Sequence, residues 1–470
     1  GLDVAIVKYD PAGNLLWEKY YTTPGWRNDT LTGMDLDQNG NIILSISSDT
    51  NATGTGYQPT LVRMSVAGNF LDTIWYNNVS TGVQFANSML VRTDGSVVLC
   101  GTASISGGYL AYFDDQLNHQ WTALIDSTPS AITKVNSVSS FPNGDIAVVG
   151  YSQTGPGTTG KLVAKRFDIS GNRLWSVEID SAGVADEGKD IAVNGIGLVA
   201  VTGSSGAATV VAVIDGATGN LLWRTIYNPT ASSTEYGVKV RYGPGNSITI
   251  ISRGWSGFVA RYFTASFHTI TGSMLWSSSY DQTASDREPL ELIVESTGRV
   301  VTAGWRIDGA TTNYDYVLVG YTSAGVQEFE NIYTTPNFNP DRLYSLTSDQ
   351  AGDFIVTGES ATEFLNNFLY QMVTIKFGGT VVDVNEMDLK SEVIVFPNPS
   401  AAGKYLLVDR SGFDSVSGAK VFDSSGKMIK VISPSELRGE IDLSNYRDGL
   451  YLLQYFRDDV PAGTIKLIKK

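Results

Sequence analysis

The sequence contains almost no cysteine or histidine. Its 470 residues include one cysteine, Cys100, and two histidines, His119 and His268. A lone cysteine cannot form an internal disulfide, and no cluster of Cys and His has the spacing of a zinc site. We therefore expect neither a disulfide scaffold nor a Cys-based zinc site. Both histidines fall in hairpin turns and are predicted to be surface residues, which leaves little for His-based catalysis.

Charge is also scarce, and what there is has mostly one sign. Only 17% of residues are charged, with 33 basic and 48 acidic side chains and a net charge of −15. Nucleic-acid binders concentrate Lys and Arg, so no nucleic-acid partner is expected. No apolar stretch reaches the roughly 18 residues of a membrane-spanning helix. The chain opens at Gly1 inside a strand-like run, so we expect a processed protein or a fragment.

Glycine, by contrast, is abundant. The chain has 49 glycines, and 42% of its residues are hydrophobic, enough for a sizeable core. The length allows two or three domains, or one large β domain with an appendage. Many glycines and few charges favour tight turns between strands over long charged helices.

A repeat runs through the first 380 residues. An apolar strand, a turn often containing Gly-Asn, and Leu-Trp recur at Asp3–Trp17, Lys161–Trp175 and Thr209–Trp223. Degenerate copies end at Trp121, Trp276 and Phe329, while the second copy has Asp72 there and displaces its tryptophan to Trp75. From Trp17 to Phe329 the mean period is 52 residues over six intervals. We predict that the repeated tryptophan fills the space between neighbouring repeats.

A second hairpin lies between successive copies, and its turn carries a glycine. These glycines are Gly40, Gly95, Gly144, Gly195, Gly245, Gly298 and Gly352. Each repeat thus holds four short alternating strands. A period of roughly 50 residues with four strands is typical of a β-propeller blade. We therefore predict an all-β protein with a propeller over residues 1–379.

The number of blades depends on how the ring closes. A half copy, Phe368–Gly378, follows the last inner hairpin. Propellers commonly close by pairing an N-terminal strand with the last blade, which removes an exposed edge. Seven blades closed in this way is the first choice. Eight blades, with a hairpin lost upstream of Gly1, is the alternative.

The sequence of the repeat resembles that of a known family. The phrase D-x-x-V-x-K-Y-D-x-x-G-N-L-L-W, followed by D-x-x-G-N-I-I-L, resembles the SBBP-type β-propeller repeats of secreted bacterial proteins. It is less closely similar to quinoprotein-type and kelch-type repeats. The resemblance covers about 375 residues and implies a fold rather than a function.

The last eighty residues depart from the repeat. Residues 380–390 read as a linker, and residues 391–470 read as about seven short strands with intervening turns, which predicts a small Ig-like β-sandwich. This segment carries 11 basic and 10 acidic side chains, which leaves 22 and 38 for the rest of the chain. The acidity therefore belongs to the propeller.

The terminal segment closely resembles the type A C-terminal sorting domain of cargo for the type IX secretion system of the Bacteroidetes. The matching residues are Pro397, Asn398, Pro399, Gly403, Asp423, Gly426, Lys427, Ile441, Asp442, Leu443, Gly449, Tyr451, Lys466, Lys469 and Lys470. The resemblance implies export through the periplasm to the outer-membrane surface or the medium, with the secretion machinery as partner. It also implies that the domain is an address that is usually removed.

Several inter-blade loops end with an acid just before the inner strand. The candidate ligand-binding residues are these acids and their neighbours: Asp29, Asp186, Glu235, Asp286 and Asp341, with Arg27, Arg287, Arg342 and Trp26. Acids and aromatic rings around a central opening suit sugar binding, and oxygen ligands also suit Ca²⁺, although no calcium motif is present. In the alternative interpretation these acids cap backbone N–H groups or pair with the adjacent arginine.

Enzymatic interpretations find little support in the residues. The boxes of sialidase-type propellers are missing, and one cysteine cannot supply the cysteine pair expected of quinoprotein dehydrogenases. We predict a monomeric, non-catalytic binding or adhesion module for a glycan or a protein, without cofactor or metal. One alternative is a polysaccharide hydrolase or lyase using acids on the loop face. Another is a purely structural surface component.

Overall fold

A computed structural model describes most of the chain. The described residues are 3–24, 28–50, 56–77, 82–104, 107–125, 132–155, 158–181, 183–229, 234–256, 259–280, 287–307, 314–334, 340–349, 351–364, 367–378, 393–396, 398, 400–409, 416–423, 427–433, 436, 440–457 and 460–469. The chain divides into two compact units, Gly1–Thr380 and Val381–Lys470. Every element in the described part is a β-strand, which confirms the all-β prediction. None of the described residues forms a helix long and apolar enough to cross a membrane.

The first unit is built from short strands that follow one another along the chain. They are β1 (Val4–Tyr9), β2 (Leu15–Tyr21), β3 (Asp29–Leu36), β4 (Ile42–Asp49), β5 (Tyr57–Met64), β6 (Phe70–Trp75), β7 (Gln84–Val91), β8 (Val97–Ala103), β9 (Gly107–Phe113), β10 (His119–Leu124), β11 (Ile132–Ser140), β12 (Ile146–Gln153), β13 (Lys161–Phe167), β14 (Arg173–Ile179), β15 (Asp186–Val193), β16 (Leu198–Ser205), β17 (Ala208–Asp215), β18 (Leu221–Tyr227), β19 (Glu235–Gly243), β20 (Ser247–Ser256), β21 (Val259–His268), β22 (Met274–Tyr280), β23 (Arg287–Val294), β24 (Val300–Ile307), β25 (Tyr314–Tyr321), β26 (Gln327–Tyr333), β27 (Asp341–Ser348), β28 (Phe354–Phe364) and β29 (Asn367–Phe377).

These strands form antiparallel sheets in chain order. We call the four-stranded sheets blades 1 to 6: β3–β6, β7–β10, β11–β14, β15–β18, β19–β22 and β23–β26. The hairpin β1–β2 precedes them, and a three-stranded terminal sheet, β27–β29, follows them. The first strands of successive sheets contact one another. Repeated four-stranded sheets of this kind are the blades of a β-propeller.

The core lies between the blades. In one cluster, Leu162 of blade 3 packs with Val201 and Val210 of blade 4, and all three are at most 3% exposed. Clusters at the other junctions from blade 1 to the terminal sheet are similar, so blades 2 to 6 are covered on both faces. This explains why the middle strands are apolar almost without alternation, because a strand buried on two faces has no water-facing side.

The N-terminal hairpin packs as an outer half-blade. Val4, Ile6 and Tyr21 share a buried cluster with Leu44 and Val62 of blade 1. In the described part of the chain β1 pairs with β2 only, and the terminal sheet keeps three strands. The first-choice closure, an N-terminal strand paired with the last blade, is thus not among the described pairings. The number of blades stays a prediction.

Positive backbone φ angles identify the residues that close the hairpins. Six of the seven inner-hairpin glycines predicted from the sequence have φ between 67° and 90°. In blade 4, however, the residue with positive φ is Gly197, at 83°, and not Gly195 as expected. The N–H of Gly197 donates to the carbonyl of Asn194 at 3.0 Å, so the turn starts one residue before Gly195. Gly195 therefore needs no left-handed conformation.

The second unit contains two sheets around one core. Its strands are β30 (Val393–Phe396), β31 (Lys404–Asp409), β32 (Gly418–Asp423), β33 (Met428–Ile432), β34 (Glu440–Asp442), β35 (Gly449–Arg457) and β36 (Val460–Lys469). The sheet order is β30-β31-β34 in one and β33-β32-β35-β36 in the other. Tyr405 and Ile441 of the first sheet share a buried cluster with Val421 and Leu453 of the second. Two sheets that share a core form a sandwich, and its Ig-like class stays a prediction.

Candidate functional site

The first strand of each blade and of the terminal sheet has a buried polar side chain at its first or second residue. Each of these strands has a β-bulge. The residue two positions before the start of the bulge occupies the same structural position in every sheet. These residues, which we call the inner polar row, are Asp29, Gln84, Thr133, Asp186, Glu235, Arg287 and Asp341. All of them are at most 4% exposed. The sequence therefore located four acids and one arginine of the row.

Two acids of the row bind the loop that precedes their own strand. Asp29 Oδ2 accepts the backbone N–H of Thr23 at 2.7 Å, and Oδ1 accepts the Thr23 hydroxyl at 2.6 Å. Asp186 accepts the backbone N–H of Ser181 in the same manner. This is the capping role that the sequence left as the alternative to ligand binding. Ligand binding by the row stays a prediction.

The arginine of the row stands where four of the other six strands have an acid. Arg287 is 1% exposed, and its guanidinium lies 5.0 Å from the centre of the Tyr280 ring. The acid expected at this strand, Asp286, precedes Arg287 and lies outside the described residues, as do Trp26 and Arg27. The burial of Arg287 makes it part of the wall between blades 5 and 6.

The residue that follows the inner polar row on each first strand faces the opposite side of the sheet. On that side, blades 5 and 6 carry several aromatic and charged side chains. Arg253 lies 2.7 Å from Glu288 Oε2 of blade 6. The same guanidinium lies 4.7 Å from the centre of the Trp255 ring and 3.3 Å from the Tyr236 phenol oxygen. A charge pair between two blades thus holds an indole and a phenol beside it.

A second group follows directly between blade 6 and the terminal sheet. Trp305, the cross-strand partner of Glu288, meets Tyr314 edge-on at 4.7 Å between ring centres. Arg342 of the inner strand β27 lies 4.6 Å from the Tyr314 ring centre and 3.3 Å from Glu359 Oε1. Since Glu288 pairs with Trp305, the two groups are continuous.

We call this continuous set the loop-face cluster. Its members are Tyr236, Arg253, Trp255, Glu288, Trp305, Tyr314, Arg342, Tyr344 and Glu359. Tyr344 is 55% exposed, and the other members are half-buried. Burial, followed by its hydrogen bond to Glu359, raises the pKa of Tyr344 to about 12. Tyr344 is therefore protonated at neutral pH and can donate a hydrogen bond.

Of the loop-face cluster, the sequence identified only Arg342. One signal was available: Trp255 and Trp305 are tryptophans that stand outside the repeated Leu-Trp position. A tryptophan that the repeat does not require is a candidate for a ligand contact. The sequence does not show how neighbouring blades pack, so it could not predict that these residues come together.

The histidines are less exposed than the sequence suggested. His119 is half-buried with its ring 5.5 Å from Tyr76, and its Nε2 lies 2.8 Å from the Thr122 hydroxyl. Burial lowers the pKa of His119. His268 Nδ1 accepts the backbone N–H groups of Ile270 and Thr271 at 3.3 and 3.2 Å. Among the described residues, no group of three or more His, Cys, Asp or Glu is placed to hold a metal ion.

The sorting-type residues of the second unit meet at its last strand. Asn398 Oδ1 accepts the N–H of Ile468 at 2.8 Å, and its amide donates to the carbonyl of Lys466 at 2.5 Å. Lys469 Nζ donates to the carbonyls of Ser444 and Tyr446 at 3.1 and 2.5 Å. The C-terminal strand is thus held from both sides.

Other sorting-type residues shape the surrounding turns. Gly403 has φ of 66°, and a Cβ there would lie 2.7 Å from Lys469 Cε. Asp442 Oδ1 accepts the N–H of Ser444 at 2.8 Å, and Asp423 Oδ1 accepts that of Lys427 at 3.0 Å. Tyr451 donates to the carbonyl of Arg447, and Gly449 begins β35. Pro397, Pro399, Gly426 and Lys470 lie outside the described residues.

Residues 394–470 match the family described as "Secretion system C-terminal sorting domain". This tail belongs to type IX secretion and directs export to the cell surface or the extracellular space. It also implies an interaction with the secretion machinery. No curated protein is similar enough to match the chain.

Similar solved structures include a WD40 domain, a β-propeller domain and a polysaccharide lyase. The WD40 domain of coronin from Toxoplasma gondii is 12% identical, with 81% of this chain and 88% of that chain covered and a TM-score of 0.44. The β-propeller domain of the Trilobed protease from Pyrococcus furiosus is 11% identical, with 75% and 95% covered and a TM-score of 0.42. An ulvan lyase is 9% identical, with 73% and 91% covered and a TM-score of 0.45.

Proposed function

We propose that this exported propeller binds a glycan or a protein outside the cell and does not transform it. The loop-face cluster is the observation that carries the proposal. Half-buried rings at Trp255, Trp305 and Tyr314 offer faces on which a sugar ring or an apolar side chain can stack. The paired Arg–Glu groups beside them offer hydrogen bonds to hydroxyl or amide groups.

The protonation of this cluster favours binding over catalysis. A lyase or hydrolase needs a group that takes up or gives a proton near neutral pH. Tyr344, with its pKa raised to about 12, is a poor base at that pH. Glu288 and Glu359 are each engaged by an arginine, at 2.7 and 3.3 Å. A carboxylate oxygen that is already held by a guanidinium is less available to take a proton from a substrate.

We also propose the finer features that the sequence predicts. The repeats are of SBBP type and close with seven or eight blades, the tail is an Ig-like sandwich that is removed after export, and the protein is a monomer from a member of the Bacteroidetes. The boundaries are a propeller over 1–379, a linker over 380–390 and the sorting domain over 391–470.

The experiment uses the purified full chain on a glycan array and with a panel of soluble polysaccharides. We expect saturable binding that weakens at least tenfold in Trp305→Ala and in Arg342→Ala, because each removes a stacking or hydrogen-bonding surface. The control is Trp75→Ala, whose ring is 38% exposed at the end of an outer strand. Unchanged binding by both cluster variants would overturn the location. Release of new reducing or unsaturated chain ends from any polysaccharide would overturn the non-catalytic role.

A further inference from the structure

A cavity of about 330 Å³ lies at the junction of blades 5 and 6. It is found among the turns that join β19 to β20 and β23 to β24, at the strand ends opposite to the loop-face cluster. Its lining includes Thr249, Ser266, Trp276, Thr297, Val300 and Ser323. The volume is at the lower end of the range of small-ligand sites.

The wall of this cavity includes a position that carries a short, uncharged side chain in blade 5. In each blade this position is the cross-strand partner of the repeated tryptophan or its substitute. It is held by Arg63, Tyr112, Arg166, Val213, Ser266 and Gly320 in blades 1 to 6. Blade 5 has Ser266 there, and Thr249, also short, lies directly opposite it on β20.

The equivalent junction of blades 3 and 4 also holds a cavity, of about 360 Å³, but the charged residues Arg166 and Asp215 line it. Arg166 of blade 3 reaches across the junction and donates to the carbonyl of Gly216 at 2.6 Å. Blade 6 has Gly320, but the Phe329 ring covers it so closely that a Cβ there would lie 1.9 Å from Phe329 Cε1. Ser266 neither bridges the junction nor is covered in this way, so the room beside Trp276 is left open.

The chemistry of the lining specifies the kind of ligand. Five lining side chains carry hydroxyls, at Ser247, Thr249, Ser266, Thr297 and Ser323. Hydroxyls both donate and accept hydrogen bonds. The lining residues, all within the described part of the chain, include no charged side chain. Leu275, Trp276 and Val300 supply an apolar side. This combination suits a neutral ligand with several hydroxyls and one apolar face.

The floor of the cavity is desolvated. Thr249 and Ser266 are each 2% exposed, and the 3.4 Å between their hydroxyl oxygens makes only a weak hydrogen bond. Hydroxyl groups in such a place gain more from a ligand partner than exposed ones, because little water competes. We propose that the junction of blades 5 and 6 binds a single neutral sugar unit in this cavity. This site is separate from the loop-face cluster and does not rest on the proposed function.

The test is a ligand-observed NMR titration of the full chain with methyl β-galactoside and methyl α-glucoside, and with glucuronate and glucosamine as charged probes. We expect saturable binding of at least one methyl glycoside and weaker binding of both charged sugars. Ser266→Arg introduces the residue found in blades 1 and 3 and should weaken binding at least tenfold. The control Ser279→Arg, on the exposed side of β22, should leave it unchanged.

Two further variants keep the test decisive. Ser266→Val installs the side chain of blade 4, and Thr249→Val removes a hydroxyl at nearly constant volume, so each should weaken binding severalfold even if Ser266→Arg fails to fold. Trp75→Ala, in blade 1 and outside both sites, should not affect it. No saturable binding of either methyl glycoside, glucuronate binding as tight as theirs, or an unchanged affinity in both Ser266→Val and Thr249→Val would overturn the assignment.

Discussion

Trp223 of blade 4 donates its indole N–H to the carbonyl oxygen of Thr269 in blade 5, at 2.7 Å. The ring also lies against Gly272 of the same turn, where a Cβ would come within 2.7 Å of Trp223 Cδ2. The same two contacts link Trp17, Trp121 and Trp175 to the next blade. The prediction that the repeated tryptophan fills the space between blades is therefore confirmed.

Blade 1 lacks this tryptophan and uses a different donor. Blade 1 has Asp72 at the position, and Arg63 donates instead to the carbonyl of Asp115 in the turn of blade 2. That turn has Leu117, with φ of 61°, where the other turns have glycine. Because no indole packs against this turn, the turn can hold a residue with a side chain. Two irregularities in the sequence thus have one structural cause.

The contact between tryptophan and glycine can be separated from the cost of a positive φ. Gly171 and Gly13 both have φ of 84°, but a Cβ on Gly171 would lie 2.8 Å from Trp121 Cδ2, whereas Gly13 has nothing within 4 Å. We expect Gly13→Ala to cost about 1 kcal/mol from φ alone. Gly171→Ala should cost about 3 kcal/mol because it also displaces the indole.

Tryptophan fluorescence during thermal unfolding measures this difference, since all nine tryptophans precede residue 306 and report on the first unit. Equal losses of melting temperature in the two variants would show that the indole does not constrain the turn.

A tryptophan at the repeated position, such as Trp175, should stabilise the protein more than Trp75, which is displaced from that position. Trp175 is 9% exposed and Trp75 is 38% exposed. Trp175→Ala is expected to cost about 3–5 kcal/mol, since it leaves a cavity between two blades. Trp75→Ala should cost less than about 1 kcal/mol. Urea denaturation followed by fluorescence gives both values, and a cost for Trp175→Ala below that for Trp75→Ala would contradict the inter-blade role.

Hairpin turns that begin with an aspartate, such as Asp10 and Asp168, should lose stability in acid. Asp168 Oδ2 accepts the Asn172 side-chain amide at 2.9 Å, and Oδ1 accepts the Asn172 N–H at 2.8 Å. These bonds lower the pKa of Asp168 from its usual 3.8, and those from Asn14 lower the pKa of Asp10 similarly. A carboxyl whose pKa is lower in the folded state stabilises above its unfolded pKa, and the effect is lost as pH falls through the folded pKa.

The variant Asp10→Asn/Asp168→Asn removes the titration but keeps an acceptor, as Asn194 does in blade 4, where its Oδ1 accepts the Leu198 N–H at 2.8 Å. We expect its melting temperature to fall less than that of the wild type between pH 5 and about pH 2.5. The same fall in both proteins would show that these turns do not contribute to the acid sensitivity.

Export should depend on the folded tail and on how its last strand is held. Lys469 is 10% exposed and pairs with Asp448 at 3.3 Å, whereas Lys466 is exposed. We expect Lys469→Ala to reduce surface and extracellular protein severalfold, and Lys466→Ala to export normally. Deletion of residues 393–470 should retain the protein in the periplasm. Immunoblots of cell fractions measure all three, and surface display of the deletion variant would refute the sorting role.

Several features of the fold could be predicted from the chain because they are local and repeated. The 52-residue period, the hairpin glycines and the apolar middle strands each follow from spacing that a four-stranded blade requires. The turn of blade 4 was misplaced by two residues, because two nearby glycines are chemically alike and only strand pairing selects Gly197.

The sequence by itself determined the repeated blade architecture and the sorting tail, since both are encoded by short-range patterns of turn and apolar residues. It also located acids such as Asp29 and Asp186 before the inner strands. Only the tertiary structure decided that these acids are buried and bind their own loops. It alone brought Arg253 to Glu288 and left room beside Ser266. These relations join residues of different strands and blades, and their distances depend on how the sheets pack, which no local pattern records.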